Sequence, residues 1–125
     1  MNAQTAALLY CLATAMVAGF QLALAAGAPW GAIAMAGRYP GRLPAPLRCA
    51  AAVQASLLIG FAWVVVQRAA GTEAPTWAAP TAWIVVAFST VALVLNLITP
   101  VSLERRIWAP VALVMVASSL WVALS

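Results

Sequence analysis

The stretch GAPWGAIAMAGRYPGRLPAPLR, residues 27–48, decides how this chain folds. An apolar run that begins near Gln4 can already cross a membrane when it reaches Gly27, because a helix needs about 20 residues to span the hydrocarbon. It nevertheless continues through proline and glycine to Arg38 before any charge appears. One straight helix from Gln4 to Gly37 would be a rod of about 50 Å, set against a hydrocarbon core of about 30 Å. The chain therefore bends. Pro29 disfavours helical geometry at Ala28, and Gly27 and Gly31 let the backbone turn without side-chain cost. WGAIAMAG, residues 30–37, then has the composition of a short interfacial or re-entrant helix lying under the bundle, with Trp30 at the boundary and Arg38 where water begins. Irregular backbone at that depth is tolerated only against protein or a water-filled cavity. Residues 27–37 are thus expected to form a lid or wall of a cytoplasm-facing site.

Composition supports lipid as the solvent. Of 125 residues, 66% are hydrophobic and 6% charged, and Lys, Asp and His are absent, so a soluble globule would lack polar surface. Outward from the opening stretch, apolar segments fall at about residues 4–27, 47–67, 81–99 and 107–124. The expected fold is all-α: a single four-transmembrane-helix bundle over residues 1–125, with a kinked or re-entrant segment after the first helix. The first segment carries an Ala-Leu-Ala triplet at residues 23–25, but no Lys or Arg precedes its apolar part, so it reads as a span and not as a cleaved signal. Ala15, Gly19, Ala23 and Gly27 recur every four residues and predict a face of close helix packing within the chain, a homodimer seam being the alternative. Thr99 is expected to cap the fourth helix with Pro100 in first position, Ser102 being the alternative cap, and Glu104 lies in the first turns where the helix dipole favours an anion.

The arginines orient the bundle. Arg38, Arg42 and Arg48 fall in the first connection and Arg105 and Arg106 in the third, whereas the opposite side has only Arg68. The positive-inside rule then puts connections one and three in the cytoplasm of a bacterial inner membrane, with both termini outside. Trp30, Tyr39 and Trp108 should anchor the inner interface, and Tyr10, Trp63, Trp77, Trp83 and Trp121 the outer one.

The same inventory narrows the chemistry. Small four-helix multidrug exporters are the comparison by size, but they need a carboxylate inside the membrane. The acids here are Glu73, in an outer loop, and Glu104, expected at the inner surface. General acid-base catalysis has few candidates, so the chain reads as a non-enzyme with no catalytic residue and no cofactor. Cys11 and Cys49 should sit at different depths, beyond disulfide reach, and act as small apolar fillers. Met16, Met35 and Met115 lack the clustered spacing of a Cu(I) site, and no metal is expected. The net charge of +4 comes from arginines at membrane interfaces, without the extended basic face of a nucleic-acid binder.

Two polar sets remain. Gln21, Gln54 and Asn96 fall at similar depth near the inner ends of three helices, where they either hydrogen-bond across helices or line a small polar pocket. Trp30, Arg38, Arg42, Arg48, Arg105 and Arg106 form an inner surface suited to lipid phosphate or to a protein partner, at about 1 kcal/mol per arginine near an anionic leaflet. The function expected from these sets is that of a non-catalytic inner-membrane protein, either an accessory subunit of a larger complex or a binder of lipids, anionic ones among them. The alternative is a homo-oligomeric channel or facilitator for a small solute, built on the three amides.

QLALAAGAPWG, GRYPGRLP, LNLITP and ERRIWAPVALVM together resemble an uncharacterised family of small bacterial four-span integral membrane proteins. The resemblance covers nearly the whole chain and implies the four-span fold, but no activity. An acidic residue follows GAPWG in that pattern, where this chain has Ala32, a departure that argues against a charge-dependent function at this spot.

Overall fold

The computed structural model describes residues 1–125 and contains helices joined by turns. Four long helices make up the chain: α1 (Ala3–Ala26), α2 (Ala45–Ala69), α3 (Ala78–Ile98) and α4 (Ser102–Leu124). Each is long and apolar enough to cross a membrane. The helices alternate in direction. At one end Gln4 Nε2 donates to the Ala69 carbonyl and Arg68 to the Ser125 carbonyl, and at the other Arg48 reaches the end of α1.

Small side chains let the helices approach. Ala6, Ala7, Ala13, Ala18 and Ala55 surround Tyr10, Leu58, Val65, Val85 and Met115 in the main core, the close packing on which helix association in lipid depends. Leu8, Leu12, Ile59, Val91, Leu97 and Ile98 point outward, and α3 buries only Ala78, Ala82, Val85 and Ser89. The expected stripe on α1 is not the packing face. Ala15 and Gly19 are exposed, and a Cβ placed on Gly19 would meet nothing within 4 Å. Tyr10, wholly buried, sets the inward face instead, because enclosing a large ring excludes more lipid than matching small residues. For the same reason Tyr10 is no interfacial anchor. Trp63, Trp77, Trp83 and Trp121 are exposed, and the first two stack at 5.1 Å.

α1 ends at Gly27, whose φ of 103° is left-handed and whose N–H returns to the last turn. The segment beyond does not form the expected short helix. It makes two single 3-10 turns, Gly31–Ile33 and Met35–Gly37, with extended Ala34 between them. The loop closes on itself through the Gly31 N–H, which donates to the Gly41 carbonyl at 2.8 Å. The approach is so close that a Cβ on Gly31 would lie 1.8 Å from the Tyr39 oxygen. This closure prevents a helical register. The segment is instead held under the bundle: Ala34 and Leu43 pack on Leu24 and Ala51, and Trp108 Nε1 donates to the Ile33 carbonyl at 3.2 Å.

α3 and α4 are joined by Thr99, Pro100 and Val101 alone, so α4 starts at Ser102, two residues after the Pro100 start that a Thr99 cap would give and ahead of the apolar span read from 107. Neither Thr99 nor Ser102 caps it. Val101 occupies that position without a side-chain bond, and the Thr99 hydroxyl donates to Glu104 Oε2 at 3.0 Å.

A candidate ligand cavity at the arginine-bearing end

The turned segment, the helix ends on the same side of the bundle and the tight α3–α4 link enclose a cavity of about 720 Å³. That size lies within the ~300–1,000 Å³ usual for small-molecule sites. Its deep end is apolar, formed by Val17, Leu58, Phe88 and Met115. Gln21 from α1, Gln54 from α2 and Asn96 from α3 all line it. The common depth read from the sequence therefore becomes a common wall. No bond between helices ties these amides together, since Asn96 Nδ2 donates within its own helix to the Ala92 carbonyl at 2.8 Å. Exposed Met35, Arg38 and Tyr39 border the cavity on one side, and Leu95, Ile98 and Pro100 border it on the other.

The arginines divide into two groups. Arg48 Nε donates to the Ala25 carbonyl at 3.0 Å, and a Cβ on Gly27 would meet Arg42 Nε at 2.9 Å, so both guanidinium groups sit on the carboxyl end of α1. Arg105 Nη1 donates to the Thr99 carbonyl at 2.7 Å, just past the end of α3. Cations there complement orphan carbonyls and the helix dipole, at about 0.3–1 kcal/mol each. Arg38 and Arg106 are exposed, and Arg38 alone of the arginines lines the cavity. Trp30, expected at the interface, is half exposed and stacks on Phe20 at 6.2 Å; Phe20 in turn meets Trp108 at 4.6 Å.

Glu104 departs furthest from expectation. Placed at the inner surface by its position in the sequence, it is 7% exposed and forms part of the cavity wall. Besides the Thr99 hydroxyl it accepts the Ala36 N–H at 3.5 Å. That amide is aimed by strained backbone: Met35, Ala36 and Gly37 have successive φ values of 51°, 57° and 71°. Non-glycine residues in this region cost about 1–3 kcal/mol each and persist where surrounding structure imposes them. The available signal was TPVSLERR itself, a three-residue proline-containing link that places the first turn of α4 against the turned segment.

A second polar group lies deeper. The hydroxyls of Tyr10 and Thr14 on α1 and of Ser89 on α3 are buried without hydrogen-bond partners. Thr14 and Ser89 lie near enough to influence the Tyr10 hydroxyl, but neither meets hydrogen-bond geometry with it. Ser118 and Ser119, by contrast, bond to carbonyls of their own helix. Cys11 is half-buried and Cys49 exposed, and both thiols are free.

Helix length, apolarity and outward-facing side chains together define a multi-pass membrane protein of four spans. Comparison with protein-family models, with curated proteins and with solved structures finds no match to this chain.

Proposed function

We propose that this is a non-catalytic protein of the bacterial inner membrane that holds one amphipathic, lipid-class molecule in the cavity beneath its helices, with the arginine-bearing end in the cytoplasm. The observation that carries this reading is the lining itself, an apolar deep end graded through three amides to a charged and aromatic rim. Such a gradient suits a molecule with an apolar tail and a polar head. The bulk of the exposed surface being apolar, the occupant can arrive from the bilayer. The resemblance to small four-span bacterial proteins fits the same placement.

Native mass spectrometry of the protein released from phospholipid membranes tests it. The wild type is expected to retain one lipid per chain, and Ala92→Phe, which fills the cavity from α3, to lose it. Equal retention by both would place the lipid on the outer surface and remove the proposal.

The amides also motivate a second reading, a facilitator for a small neutral solute formed by several copies of the chain. It is the weaker one, because Leu58 and Met115 are buried and close the deep end. Glycerol flux into liposomes should fall on Asn96→Leu or Gln54→Leu, and unchanged flux would eliminate it.

A further inference from the structure

The charges of the cavity identify the head of its occupant. Glu104 is more than nine-tenths buried, and the donors it meets, the Thr99 hydroxyl and the Ala36 amide, are both neutral. A carboxylate offers about four acceptor positions, and these donors fill two. Buried charge is costly unless a counter-charge meets it. Arg105, its chain neighbour, commits Nη1 to the Thr99 carbonyl, and the other charged side chain on the cavity wall is Arg38, exposed at the rim. Glu73 and Arg68 belong to the α2–α3 end of the bundle and do not face this site.

The wall therefore holds one negative and one positive group, the first buried and the second at the opening. An anion alone would leave the buried Glu104 without a counter-charge, whereas the exposed Arg38 adds a positive group at the opening. Tyr39 and Trp108 also line the cavity. From these observations we infer that the cavity selects an amphiphile whose head joins a primary ammonium to a phosphate, with the ammonium seated on Glu104 and the phosphate on Arg38. The left-handed run at Met35, Ala36 and Gly37 borders this seat, because its Ala36 amide donates to Glu104.

The inference rests on the lipid-binding reading above, and the test separates the two. The full chain is equilibrated in vesicles containing equal parts of phosphatidylethanolamine, phosphatidylglycerol and phosphatidylcholine of one chain length, then analysed by native mass spectrometry. The wild type is expected to retain the ethanolamine lipid over the glycerol lipid by about tenfold, the factor one charged hydrogen bond supplies. Phosphatidylcholine, whose ammonium has no N–H, should also be retained less. Glu104→Gln is expected to abolish the preference for the ethanolamine lipid. Should that variant fail to fold, the wild-type ranking decides alone. Retention without preference for the ethanolamine lipid would overturn the inference and leave lipid binding intact, whereas absence of retained lipid would overturn lipid binding itself. Displacement of the lipid by free phosphoethanolamine would assign the same ammonium and phosphate chemistry to a soluble molecule and overturn the lipid assignment.

Discussion

Gly31 shows how much one hydrogen atom in place of a methyl group can decide. Its backbone lies against Tyr39 and Gly41, leaving no room for a Cβ, and its N–H closes the loop. Gly31→Ala should lower stability by about 3 kcal/mol, the upper part of the usual overpacking range, measured by unfolding in detergent. Gly60→Ala is the matched control: a Cβ there meets nothing within 4 Å, so the change should be neutral or stabilise α2 by up to about 1 kcal/mol. Equal losses in both variants would refute the account of the loop. Residue type alone does not tell the two glycines apart; only the neighbour across the turn distinguishes them. Tyr10 illustrates the same limit, since an aromatic in the outer half of a span reads as an interfacial anchor until the surrounding helices are seen to enclose it.

At the scale of elements, the four helices were legible because apolar length and proline-rich punctuation are local properties. The piece after α1 was legible only in part. Its excess length required a bend, but its form, two 3-10 turns held by a small satellite core, depends on Leu24, Leu43 and Ala51 from three separate parts of the chain. Leu24 is fully buried where α1 meets this segment. Leu24→Ala is expected to cost about 2–5 kcal/mol and to expose residues 27–41 to protease, with little effect on the α2–α3 connection. If both connections became equally sensitive, the satellite core would not be what holds the segment.

For the whole molecule, the charge bias predicts a direction in the membrane. A single cysteine at position 42, introduced as Arg42→Cys in a chain with Cys11 and Cys49 replaced by Ala, should react with an impermeant maleimide only after the inner membrane is opened, whereas Thr72→Cys should react in intact spheroplasts. The opposite pattern would invert the arrangement. Composition, segment length and arginine placement by themselves determined that this chain forms four helices for a lipid environment, because transfer of apolar length into hydrocarbon is a property of each segment taken alone. That Gln21, Gln54 and Asn96 line one cavity could be anticipated from their depth, since depth along a helix follows from counting residues. Rotation about each helix axis cannot be counted in that way. Which face of α1 turns inward, and the burial of Glu104 beside the cavity, were settled only in the tertiary structure, where rings, short links and backbone donors compete for the same interior space.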